Sequence, residues 1–140
     1  MPLPTPEPGL VVHYGYLWRH EHERGRDTAR YARPCAIVTA VRRTVGGELN
    51  VVVAPLTHRR PDPDRNAVEI PVGVRRALQL PQRTWAIVDE VNAFVWPGFD
   101  LEVNDDGVFE WGQIPAALHN QISGGVLTAA RAGRLRLTPR

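Results

Sequence analysis

The stretch RPCAIVTAVRRTVGGELNVVVAPLT, residues 33–57, decides the fold. Two apolar runs, at residues 34–41 and 49–56, flank Gly46-Gly47, and Val- and Ile-rich runs separated by a glycine turn predict a β-hairpin. The apolar residues barely alternate with polar ones, which indicates strands covered on both faces. Both strands are therefore expected to belong to the core.

A polar residue that the core does not explain borders each run. Arg33 precedes the first run, and Thr57 follows the second, directly before His58. If the two strands pair, a guanidinium and a hydroxyl meet on one surface. That combination suits a phosphate, especially one undergoing transfer. The hairpin therefore predicts a phosphate site as well as a core.

The rest of the chain reads as short elements. We predict strands at residues 9–14, 67–70, 84–88 and 92–96, helical turns at 72–80, and a solvated loop at 18–30. Pro115 suits the first turn of a helix running to about residue 131, whose apolar stripe comprises Ile114, Leu118, Ile122 and Val126. Four prolines make residues 1–8 an extended lead-in. The expected fold is one domain, residues 1–140, mainly β with α: a small, strongly bent β-barrel with a short internal helix and a C-terminal helix.

Composition limits the classes of function. A net charge of +2 is too small to indicate nucleic-acid binding by itself. All 17 basic residues are arginine, which grips phosphate and stacks on bases, although a GC-rich genome also encodes such a chain. The single cysteine, Cys35, lies in an apolar run and is expected to be a small core side chain. Since no stretch has the length of a membrane helix and no signal pattern is present, we expect a soluble, cytoplasmic protein without membrane contact.

Five short motifs follow one another along the chain. They are Pro8-Gly9-Leu10-Val11-Val12, Arg33-Pro34-Cys35-Ala36-Ile37-Val38, Val53-Ala54-Pro55-Leu56-Thr57, Val68-Glu69-Ile70 and Asp89-Glu90-Val91-Asn92-Ala93-Phe94. In this order they resemble the MazF/PemK family of bacterial toxins, the ribonucleases of type II toxin–antitoxin systems. The resemblance implies an SH3-like barrel, a homodimer, a cognate antitoxin, and cleavage of single-stranded RNA without metal or cofactor. It also implies that Arg33 and Thr57 form the catalytic pair.

The implied reaction needs more than this pair. RNA is cut when its own 2′-hydroxyl attacks the adjacent phosphorus, leaving a 2′,3′-cyclic phosphate and a 5′-hydroxyl. Arg33 and Thr57 can donate hydrogen bonds to the phosphoryl oxygens, but a guanidinium stays protonated and a hydroxyl is a poor base. We expect His58 to take part in catalysis if the strand has ended before it, with His20 and His22 as the other candidates for proton transfer.

Residues on both sides of the hairpin in the sequence are expected to bind the RNA. Tyr14 and Trp18 flank the charged loop, and unpaired bases stack on aromatic rings. Arg19 and Arg59 are expected to contact phosphates, and His20 and His22 to fold over the same surface. The run His20-Glu21-His22-Glu23 also allows a metal interpretation, but two imidazoles on a loop make a weak site, and we predict no metal.

Two other functions remain open. A small barrel can serve as a non-catalytic module for nucleic acid or protein, in which Arg33 anchors a phosphate or carboxylate and nothing is cut. A relative of the same family can also act on double-stranded DNA or on a protein such as gyrase. Incubation with RNA in EDTA separates these possibilities.

Overall fold

The computed structural model describes residues 2–29 and 31–140. Met1 of the predicted lead-in and Arg30 of the predicted loop lie outside the described residues. The strands are β1 (Leu10–Tyr14), β2 (Arg33–Arg42), β3 (Leu49–Thr57), β4 (Ala67–Glu69), β5 (Trp85–Ile87), β6 (Glu90–Val95), β7 (Glu110–Gln113) and β8 (Arg136–Pro139). The helices are α1 (Arg19–Glu23), α2 (Val72–Ala77) and α3 (Ala116–Arg131). Within the described ranges no helix combines the length and apolar character needed to span a membrane.

The predicted hairpin forms the centre of the sheet. β2 and β3 pair antiparallel from Arg42 opposite Leu49 to Cys35 opposite Pro55. A bulge between Ile37 and Thr39 shifts the register once, and such irregularities bend a strand. Because the strands are antiparallel, the start of β2 and the end of β3 lie at the same end of the hairpin.

Both faces of the central strands are covered, which explains the lack of alternation in their sequence. One side of the sheet holds Ala36, Val38 and Ala54 in a cluster with the apolar face of α3. The other side holds Cys35, Ile37 and Val53 in a cluster with Tyr14, Tyr16 and Phe94. Successive residues of β2 thus enter two different cores, and the prediction of two covered faces is confirmed.

The sheet is bent but not closed. Its main path runs β4-β5-β3-β2-β1-β7, with β6 joining β3 to β8. Every pairing is antiparallel except that of β6 with β8. The mainly β fold with a short internal helix and a C-terminal helix is confirmed. No ladder joins β4 to β7 within the described residues, so the strongly bent sheet stays open along this line.

Three elements were absent from the prediction. The charged segment expected to be a loop contains α1, which begins after a capping box in which the Glu21 side chain accepts the Trp18 N–H at 3.1 Å. β7 and β8 are each only four residues long and include charged side chains, so neither shows a strand pattern. Both form because the edges of β1 and β6 offer them backbone partners.

Helix α3 confirms its predicted apolar stripe and explains one of its two glycines. Leu118, Ile122 and Val126 are buried against the sheet. A methyl group at Gly125 would lie 2.8 Å from a methyl carbon of Val88, whereas one at Gly124 would meet no described atom within 4 Å. Gly125 therefore allows the helix to approach the sheet closely, and Gly124 has no such role.

Alanine substitutions at the two glycines are expected to change the free energy of unfolding in opposite directions. Gly124→Ala should raise the free energy of unfolding by about 0.5–1 kcal/mol, because alanine is favoured over glycine inside a helix. The free energy of unfolding of Gly125→Ala should be lower than that of Gly124→Ala by about 1–3 kcal/mol, because the added methyl group must displace Val88. Urea unfolding of the pair measures the difference, and equal stabilities would contradict close packing at Gly125.

Candidate functional site

The two polar residues that border the hairpin strands come together. Arg33 is the first residue of β2 and Thr57 is the last residue of β3. The ladder ends at Cys35 opposite Pro55, so Arg33 and Thr57 each lie two residues beyond its last pair, and both line one groove. An extended ligand bound in that groove can therefore contact the guanidinium and the hydroxyl.

An open groove of about 1180 Å³ contains this pair. Six arginines line it, against two acidic residues, Glu21 and Asp62. The arginines are Arg24, Arg26, Arg33, Arg59, Arg60 and Arg65. We call this surface the basic groove. Its excess of cations fits an extended anion such as a phosphodiester chain.

Trp18 holds the guanidinium of Arg33. The guanidinium carbon lies 4.9 Å from the centre of the Trp18 ring, and the edge of Tyr16 supports that ring at 5.0 Å. Arg33 has no ion pair with any described carboxylate, and its buried Nε has no hydrogen-bond partner in the described part of the chain. The side chain is thus oriented by stacking while its charge remains available to a ligand.

Thr57 and His58 line the groove as well. The Thr57 hydroxyl oxygen accepts the Arg59 N–H at 3.1 Å, which fixes the oxygen and leaves its proton available for donation. β3 ends at Thr57, so strand alternation no longer directs His58 to the far face. His58 is exposed and lines the same groove. The condition set by the sequence for a catalytic His58 is met.

Side chains of β6 hold the segment that carries Trp18, because that segment has no strand partner there. Asn92, fully buried, accepts the Leu17 N–H and donates to the Leu17 carbonyl, both at 2.9 Å. Glu90 accepts the Tyr16 hydroxyl at 3.0 Å and the Arg19 N–H at 3.1 Å. These contacts join positions more than 70 residues apart and fix the wall of the groove against the sheet.

Arg65 binds Glu90 and also lines the groove. Its guanidinium binds Asp89 through contacts of 2.7–3.1 Å and reaches Glu90 at 3.1 Å. The hydrogen bonds to Asp89 raise the pKa of Arg65 above its ordinary value. Arg65 is therefore a neutralised, structural cation, unlike Arg33.

Sequence reasoning missed several residues of the groove. Glu21 is only 8% exposed, yet it lines the groove, and one of its carboxylate oxygens accepts a hydrogen bond from the Trp18 N–H. Arg24, Arg26 and Tyr31 also line it. The signal in the sequence for these residues is the unusual density of charge at residues 19–26, a pattern that also fits the solvated loop predicted above.

The predicted RNA-binding residues divide into two groups. Trp18, His20 and Arg59 line the basic groove, whereas Arg19 and His22 do not. Arg19 pairs with Glu23 at 3.1 Å. His20 and His22, two positions apart on α1, point in different directions because a helix turns about 100° per residue.

Tyr14 was wrongly predicted to stack on a base. It is fully buried, its ring is stacked on Phe94 at 4.5 Å, and the guanidinium of Arg140 lies 5.7 Å from the ring centre. Strand alternation in β1 places Tyr14 with Val12 in the inner core. A base cannot reach it.

Two further expectations concern reactive groups. Cys35 is fully buried in β2, and burial raises the pKa of its thiol, so the prediction of a small core side chain is confirmed. Across residues 2–29 and 31–140 no group of three or more His, Cys, Asp or Glu side chains is placed to hold a metal ion. His20-Glu21-His22-Glu23 lies on a helix and does not form the strand-like pair of imidazoles considered above.

No protein-family model matches the chain, and a search of curated proteins returns no match. The basic groove itself therefore supplies the grounds for a function.

Proposed function

We propose that this chain is an endoribonuclease that cleaves single-stranded RNA, acting as the toxin of a type II toxin–antitoxin system. The observation that supports this most is the presence of Arg33 and Thr57 together in the basic groove. The proposal includes a homodimer and a cognate antitoxin, which the resemblance noted above implies, and the cytoplasmic location expected from the sequence.

The RNA backbone would run along the arginines, with its phosphate oxygens bound by Arg33 and Thr57. A planar guanidinium offers paired donors that match two phosphate oxygens, and the Thr57 hydroxyl adds a third donor. Charge grows on these oxygens as the 2′-oxygen approaches phosphorus. Donors fixed in advance stabilise that charge more than they stabilise the substrate, which is the requirement for catalysis.

Two proton transfers complete the reaction. A base removes the proton of the 2′-hydroxyl as that oxygen bonds to phosphorus. The bond from phosphorus to the 5′-oxygen of the next nucleotide breaks, and that oxygen takes up a proton. The groove offers the imidazoles of His20 and His58 for these transfers, and His58 follows Thr57 directly along the chain.

Incubation of the purified protein with a mixed-sequence RNA in EDTA tests the proposal. We expect discrete fragments, because the chain's own side chains and the substrate's 2′-hydroxyl supply every group the reaction uses. Intact RNA that still binds, with Arg33 required for binding, would instead indicate the non-catalytic module. Cleavage of double-stranded DNA alone would indicate the other alternative.

A further inference from the structure

A second pocket adjoins the basic groove on the far side of Arg33. It has a volume of about 350 Å³, close to the lower end of the range of about 300–1,000 Å³ over which proteins bind small molecules. Tyr31, Arg33 and His58 line both the groove and this pocket. We call it the side pocket. A ligand with its phosphate at Arg33 can therefore extend directly into it.

The side pocket is built from rings and apolar side chains. Leu56 and Leu80, both buried, lie at its base, and Trp111 forms part of its wall. The Trp111 indole N–H donates to His13 Nδ1 at 3.3 Å, which fixes the plane of the ring. Tyr31, 69% exposed, stands at the mouth. Flat, unpaired bases stack on rings placed in this way.

One polar side chain at the edge of the side pocket has no partner of its own. The Thr84 hydroxyl donates to the Gln82 main-chain carbonyl at 2.8 Å, which fixes the turn. The exposed Gln82 side chain makes no hydrogen bond to any described residue. A carboxamide offers both a donor and an acceptor, so it can pair with the edge of a base.

We propose that the side pocket receives one unpaired nucleobase of the RNA, next to the phosphate held by Arg33, and that Gln82 reads the edge of that base. This inference rests on the proposed function, because the shared Arg33 links the pocket to the cleaved phosphate. It assigns part of the sequence preference of cleavage to Tyr31, Trp111 and Gln82.

Abasic substitution tests the side pocket. A set of oligoribonucleotides carries one abasic nucleotide, moved along the sequence on both sides of the cleaved bond. In the wild type, an abasic nucleotide at one position beside that bond should lower kcat/KM about tenfold or more, since stacking of one base contributes on that scale. In Tyr31→Ala and Gln82→Ala, the same abasic nucleotide should lower kcat/KM by a markedly smaller factor, because these variants already lack a contact with that base. Gln121→Ala, which removes an exposed glutamine on α3, should behave as the wild type.

Affinity for a 2′-O-methyl copy of each oligonucleotide supplies a second measurement that does not need cleavage. If the wild type cleaves and the abasic penalty is the same in all variants, the side pocket is overturned while the ribonuclease proposal stands. If the protein binds without cleaving and the affinity shows the position-dependent penalty, the side pocket stands and the cleavage proposal fails. If the abasic position affects neither rate nor affinity, the inference is wrong.

Discussion

Replacing Arg33 with alanine is expected to slow RNA cleavage by about a hundredfold to a thousandfold. A donor aimed at charge that develops in the transition state contributes on this scale. The effect should appear mainly in kcat, because the remaining groove arginines still bind the RNA backbone. Single-turnover cleavage of one synthetic RNA, with protein in excess, measures it. Arg33→Lys should recover only part of the rate, since an ammonium keeps the charge but loses the fork that contacts two oxygens.

A matched arginine separates this effect from net charge. Arg131 is exposed on α3 and makes no ion pair with a described residue. Arg131→Ala removes the same charge away from the groove and should cleave at the wild-type rate. Loss of the stack of Arg33 on Trp18 should lower the free energy of unfolding by only about 0.5–1 kcal/mol, so Arg33→Ala should remain folded during the assay. A rate for Arg33→Ala within threefold of Arg131→Ala would remove the basis for the catalytic pair, about 0.6 kcal/mol being too little for such a donor.

Replacing Glu90 with alanine is expected to cost about 3 kcal/mol of stability and to disable the groove as well. The side chain is only 6% exposed and binds Arg65, the Tyr16 hydroxyl and the Arg19 N–H. Removing one partner of a buried ion pair costs about 3–5 kcal/mol, and the lower end applies because Asp89 still holds Arg65. Urea unfolding measures the loss. The rate of RNA cleavage should also fall under conditions in which the variant stays folded. Tyr16 and Arg19, on either side of Trp18, then lack their hydrogen bonds to Glu90.

The exposed pair of Glu69 with Arg83 is the control for Glu90. Its side chains are 43% and 56% exposed, and because solvent screens an exposed ion pair, the pair contributes little to stability. Glu69→Ala should therefore unfold near the wild-type urea concentration and cleave normally. Glu90→Gln keeps the acceptor oxygen for Tyr16 and Arg19 and should fall between the two alanine variants. Equal stabilities of Glu90→Ala and Glu69→Ala would show that the buried network does not hold the groove.

The parts of the fold that local pattern predicted are those with strong local signals. The β2–β3 hairpin and helix α3 carry long apolar runs, a glycine turn and a proline start, and both formed as expected. β7 and β8 have no such signal, because their strand character comes from the neighbouring edges. Closure of the barrel depends on register and bulges across the whole sheet, and no single segment encodes those.

The candidate site was predictable where a polar residue bordered a buried strand. Arg33 and Thr57 were identified because neither fits the core that it borders. Tyr14 was misplaced because one residue of register decides whether a strand side chain faces the core or the solvent. Glu21 was missed because its burial depends on Trp18 and on long-range anchors from Glu90, which leave no pattern in the local sequence.

The chemistry of the new RNA ends tests the central claim most directly. One synthetic RNA is incubated in EDTA with the wild type and with Arg33→Ala purified in the same way, and the fragments are examined by mass spectrometry. We predict 2′,3′-cyclic phosphate and 5′-hydroxyl ends from the wild type, and intact RNA over the same time with Arg33→Ala. Intact RNA with both proteins, or fragments with 5′-phosphate ends formed equally by both, would contradict a ribonuclease centred on Arg33 and Thr57.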